Sequence, residues 1–192
     1  MTTAITTRST KGSALTFTEM DTNFDTLAIQ SLWVPVNAMR PRSSNGCALV
    51  TTVETTALRP DLKVLDFDPS SDEFAQFSIV WPNSWDKSTI TFKAFFTVTG
   101  TNTGSVAWGL AGVAITDDET INTAFPTPTV ATAKSHSGTS NDLNVTAESG
   151  AVTVSGTPAN DDMVFFQVNR DVSADDQSGD ARLLGIKITF II

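Results

Sequence analysis

The run Thr89-Ile-Thr-Phe-Lys-Ala-Phe-Phe-Thr-Val-Thr99 decides the fold class. Ile90, Phe92, Ala94, Phe96 and Val98 fall on one side of an extended chain, with mostly Thr and Lys93 on the other. Successive side chains of a strand point to opposite faces, so this pattern is a strand with one apolar and one wet face. Outward from it, short runs recur at 47–54, 63–67, 75–81, 106–116, 130–133, 143–146, 151–154, 163–172 and 182–191. Turn chemistry separates them, at Asn45-Gly46, Gly100 to Gly104, Ser149-Gly150, Ser155 to Pro158 and Ser178-Gly179. Short strands at such spacing predict an all-β sandwich or barrel. Met163-Val-Phe-Phe-Gln-Val168 is apolar on both sides for part of its length and reads as a central strand. Leu184, Ile186, Ile188, Phe190 and Ile192 alternate to the end of the chain, which predicts a terminal strand tied into a sheet. Phe92, Phe96, Phe166 and Ile188 are the expected core.

One segment breaks the pattern. In residues 11–27, Phe17, Met20, Phe24 and Leu27 follow at spacings of three, four and three, which places them along one narrow stripe of a helix. Thr16 and Glu19 have the spacing of a capping box, and Leu15 with Met20 that of a hydrophobic staple. A helix this short is marginal alone in water, so its stripe must meet a partner. That partner is either its own domain, or copies of itself or a larger assembly. The four stripe residues are the expected docking or oligomerisation site. The expected division is an arm over 1–31, with 28–32 as a hinge, and a β-sandwich domain over 32–192.

The run KGSALTFTEMDTNF resembles a segment near the N-terminus of many tail-fibre and other virion proteins of tailed bacteriophages. Lys11, Gly12, Ser13, Leu15, Thr16, Glu19, Asp21, Asn23 and Phe24 carry the likeness, and Phe17 departs from the His usual there. The stretches WVPVNAMRPRSSNG, LDFDPSSDEFAQFSIVWPNSW and ESGAVTVSGTPANDDMVFFQVNRD are similar to small phage structural proteins. This resemblance, with the strand count, makes the expected sandwich jelly-roll-like. It implies a surface appendage of the virion, a fibre, spike or head decoration, assembled in the host cytoplasm beside other capsid or tail proteins. It also implies a homotrimer, and it brings no catalytic residues and no cofactor.

Composition narrows the alternatives. The chain of 192 residues is long enough for one sizeable core plus an appendage. No apolar run approaches the roughly 20 residues that span a bilayer, and the first residues lack the charged head and apolar run of a secretory signal, so no membrane association is expected. The formal charge of -9 argues against a nucleic-acid partner, which would draw Lys and Arg onto one face. The single Cys47 excludes an internal disulfide and reads as a small buried residue.

Candidate chemistry is sparse. His136 is the only His, and it sits in a polar loop with Ser135 and Ser137 beside it. Sequence neighbours do not make a catalytic triad, so a solvent-exposed loop His is expected, and no enzyme. Asp66, Asp68, Asp72 and Glu73 gather four carboxylates that a hard cation could use, set against an acidic turn in which Asp66 or Asp68 caps the backbone. Asp175, Asp176 and Asp180 form a second acidic loop, and Asp161-Asp162 a third. Trp33, Trp81, Trp85 and Trp108 are expected mainly in the core. Exposed aromatic faces would instead suit the competing function, a receptor-binding tail protein that grips host surface carbohydrate.

Overall fold

In the computed structural model, which describes residues 5–192, the deciding run forms a strand with the expected split between its faces. Ile90, Phe92, Ala94, Phe96 and Val98 are all fully buried. The described residues hold two α-helices, α1 (Arg8–Lys11) and α2 (Phe17–Ala28), followed by fourteen strands. These are β1 (Ile29–Pro35), β2 (Arg40–Pro41), β3 (Thr51–Glu54), β4 (Asp61–Phe67), β5 (Glu73–Val80), β6 (Thr91–Val98) and β7 (Ser105–Val106). After them come β8 (Trp108–Ile115), β9 (Thr129–Val130), β10 (Lys134–Ser135), β11 (Asn144–Val145), β12 (Val154–Ser155), β13 (Met163–Arg170) and β14 (Ala181–Ile191).

Two sheets pack face to face as a jelly-roll-like sandwich. One has the order β11-β6-β14-β4-β3, and the other β12-β8-β13-β5-β2 with β9 also on β8. Strand β14 organises the first sheet. Its one flank pairs with β6, while the other is shared by β4 at Ala181–Leu183 and by β1 at Gly185–Ile191. Strand β13 lies between β8 and β5, as its two apolar faces predict. All the long pairings are antiparallel; β12 runs parallel to β8.

The core fills the space between the sheets with large rings. Trp108 meets Phe67 edge-on at 5.0 Å and Phe96 at 5.7 Å, and Trp81 touches Trp85, Phe166 and Phe190. Phe92, Phe96, Phe166 and Ile188 are all buried, as expected. Cys47 is buried although it lies outside any strand, and burial pushes its thiol up to about 12, so it stays protonated.

A buried charge ties the two layers. Arg170, at the end of β13, is fully buried, and each of its five N–H donors has a partner. Two reach Asp175, and the other three reach the carbonyls of Phe67 in the opposite sheet, Gln177 and Gly179. The second acidic loop is therefore structural at Asp175. Asp176 accepts the Ser105 N–H at 2.5 Å, and Asp162 in the third accepts the Ala159 N–H at 2.8 Å.

Two expectations need correction. The hinge expected at 28–32 is mostly strand, because the long edge of β14 offers unpaired backbone groups and Ile29–Pro35 takes them. The alternation at the C-terminus slips at one point. A register shift between Leu183 and Gly185 turns Leu183 into the core in place of Leu184, and the predicted pattern resumes at Ile186.

Candidate docking arm and neighbouring sites

Five of the residues that carry the N-terminal likeness, Lys11, Gly12, Thr16, Glu19 and Asn23, shape the arm. Lys11 makes an ion pair with Glu19, and Gly12 closes α1 in the left-handed conformation at φ 74°. The expected capping box is present: the Thr16 hydroxyl accepts the Glu19 N–H at 3.2 Å, and Glu19 accepts the Thr16 N–H at 2.7 Å. The Asn23 side chain holds Thr6 at both ends, accepting its N–H at 2.9 Å and donating to its carbonyl at 2.8 Å. The segment before α1 is thereby laid along α2. The Lys11 ammonium, then the Thr16 N–H and hydroxyl, hold the Glu19 carboxyl down at about 2. Residues 1–4 of the expected arm lie outside the described residues.

While the polar side chains hold the arm's shape, the apolar stripe is left over. Phe17 is 83 % exposed, Phe24 68 % and Leu27 55 %, and Met20 is half-buried. No residue of α2 is buried, so the helix does not fold its stripe onto its own domain. From Leu27 the apolar surface continues through Ile29 to Ile191 and Ile192, all exposed, where β1 pairs with the end of β14.

The four carboxylates considered for a cation do not converge. Asp66 lies 3.3 Å from Arg182, and Asp72 accepts the Val172 N–H at 2.9 Å. Asp68 accepts the Ser70 N–H at 2.6 Å, and Glu73 accepts the Asp68 N–H at 2.8 Å. Each is engaged separately, the arrangement of an acidic turn, and burial pushes Asp66 and Glu73 above the usual carboxylate range. Among the described residues no group of three His, Cys, Asp or Glu side chains is placed to hold a metal ion.

His136 is buried, which overturns the expected exposed loop residue. Strand β10 pairs with β7 and so carries His136 under the loop before β7, where Nδ1 donates to the Asn102 carbonyl at 2.9 Å. Gln177 donates to the same carbonyl at 3.0 Å. Ser135 bonds Ser105 and Ser137 bonds Asp142, so neither hydroxyl engages the imidazole. The role of His136 is to hold a loop. Trp81, Trp85 and Trp108 are buried, as expected, but Trp33 is 48 % exposed.

No family model and no curated protein matches the chain. Among solved structures it is similar to the arabinose-bound α-L-arabinofuranosidase MgGH51, at 15 % identity and a TM-score of 0.45, over 80 % of this chain and 23 % of that one. The CBM36-1 domain of a multidomain xylanase from the hindgut metagenome of Trinervitermes trinervoides matches at 11 % identity and a TM-score of 0.43, over 83 % and 96 %. Caldicellulosiruptor saccharolyticus CBM27-1, in complex with mannohexaose, matches at 10 % identity and a TM-score of 0.41, over 82 % and 96 %. The chain thus spans less than a quarter of the arabinofuranosidase and nearly all of the two modules.

Proposed function

We propose that this chain is a non-enzymatic structural protein of a tailed-bacteriophage virion, a surface appendage anchored by its N-terminal arm with the sandwich projecting from it. The observation that carries this reading is the exposed stripe of Phe17, Phe24 and Leu27 on a helix whose Glu19 and Asn23 side chains are already engaged within the arm. An amphipathic helix gains most of its stability from the surface its apolar face meets, so this one is built for a partner outside the sandwich. The resemblance of residues 11–24 to virion proteins supplies the class of partner, a capsid or tail protein, and a homotrimeric state. The stripe is too short to hold three chains alone, and the apolar end formed by Ile29, Ile191 and Ile192 extends the contact. His136 and the dispersed carboxylates offer no assembled acid, base or nucleophile, which supports a role without catalysis.

Deletion of residues 1–28, which spares β1 and its pairing with β14, tests the reading. The truncated sandwich is expected to fold and yet to be missing from assembled particles, with the full chain sedimenting as a trimer. A monomeric full-length protein, together with normal incorporation of the truncated form, overturns it.

A further inference from the structure

The outer face of the first sheet carries a feature that neither the arm nor the core uses. Trp33 stands on β1 with its indole turned away from the core, and the ring reaches across β14 to meet Phe95 of β6 edge-on, at 5.1 Å between centroids and 84° between planes. It can do so because residue 185 is Gly: a Cβ there would lie 2.6 Å from two atoms of the indole. Seated over Gly185 and braced by Phe95, the ring is fixed in place while about half of it faces solvent. The entropy of ordering that side chain is already spent on folding, so a ligand stacking on it loses little.

The groups around the ring say what kind of ligand fits. Lys187 is the direct cross-strand neighbour of Trp33, and Lys93 is the neighbour of Lys187 on β6. Glu148 sits 3.5 Å from the Lys93 ammonium, with both side chains about a third exposed. An apolar protein partner lying on this ring would strip water from two ammonium groups and a carboxylate without replacing it. A pyranose has the complementary surface. Its C–H face stacks on an indole, and its hydroxyls accept from ammonium and donate to carboxylate, the combination of apolar floor and few placed polar groups that ligand sites share. We infer that the Trp33 face is a carbohydrate-binding platform, with Trp33 as the stacking residue and Lys187, Lys93 and Glu148 as hydrogen-bonding partners.

Saturation-transfer NMR on the full chain tests this, with maltohexaose, chitohexaose and a lipopolysaccharide-derived O-polysaccharide as probes. Ring protons of at least one probe are expected to receive saturation, and the indole N–H resonance of Trp33 to shift on titration. Trp33→Ala should weaken binding about tenfold or more and Trp33→Phe clearly less, while Lys187→Met, on the solvent side of the sheet, should weaken it about threefold. If Trp33→Ala fails to fold, the indole shift in the unaltered protein and the Lys187→Met affinity decide the matter. Silence with all of these probes, or undiminished binding by a folded Trp33→Ala variant, overturns the inference.

Discussion

Phe96 in the sandwich is completely enclosed, packed against Trp108, whereas Phe17 and Phe24 in the arm stand largely in solvent. The polar side chains show the reverse contrast. Arg170 is buried in the sandwich and meets all its hydrogen-bonding needs internally, while Glu19 and Asn23 are spent on giving an unburied helix its shape. The sandwich is thus finished around these groups, with Phe96 and Trp108 enclosed and the Arg170 guanidinium satisfied. The arm is shaped but unfinished: its hydrophobic free energy is still available to an incoming surface.

The sharpest way to break this contrast is to attack the finished half. Arg170→Met removes the guanidinium, leaves the buried Asp175 carboxylate without its counter-charge and leaves the carbonyls of Phe67, Gln177 and Gly179 each one donor short. Removing one member of a buried ion pair typically destabilises by about 3–5 kcal/mol, and denaturant unfolding should show a loss of that size. A loss under about 1 kcal/mol would mean that the loop around Asp175 re-forms without Arg170, and that the two layers do not depend on it.

The split between the regions was visible in the sequence to different depths. Alternation around Phe92 and Phe96, and again from Ile186 to Phe190, fixes which face is core, because a strand of period two leaves no freedom once one face is apolar. The helix and its cap at Thr16 were equally legible, since both depend on local spacing alone. What escaped were the long-range pairings. The β1–β14 ladder joins Ile29 to Ile191, and nothing local marks Ile29 as strand rather than hinge. His136 looked solvent-exposed because its loop is polar, and only the β10–β7 pairing buries it. The exposed Trp33 ring has one sequence signal. Gly185 interrupts an alternating apolar strand, and an isolated Gly there marks a bulge or a close approach; here it marks both.

Acid probes the arm by a smaller effect, through Glu19. The Glu19 carboxyl drops from an ordinary 4.5 to about 2 when the Lys11 ion pair and the Thr16 cap form. A depressed carboxyl stabilises the folded arm fully above the unfolded value, and that support is lost as pH falls through the folded value. The amide signals of α2 should therefore hold their helical shifts from neutral pH down to pH 4.5, weaken below it and be lost around pH 2. A midpoint near 4.5 for the Glu19 side chain would show that Lys11 and Thr16 do not engage it in solution.

The smallest effect on stability is expected where the contrast matters most for function. Phe17→Ser combined with Phe24→Ser changes two side chains that α2 leaves exposed, and surface substitutions of this kind usually shift stability by no more than about 0.5 kcal/mol each. The melting temperature of the sandwich should barely move, since no residue of α2 is buried against it. Assembly should respond quite differently, because the stripe is the arm's principal apolar surface and two hydroxyls in its place would be desolvated by any partner that covered it. Sedimentation and particle incorporation, measured on the same protein whose melting is unchanged, read the two consequences separately. A clear fall in melting temperature would show that the stripe packs on the sandwich in solution, and the arm would then be a finished part of the domain. Unchanged melting with unchanged trimerisation and incorporation would leave the stripe with no partner at all, and would remove the ground on which a docking arm is proposed.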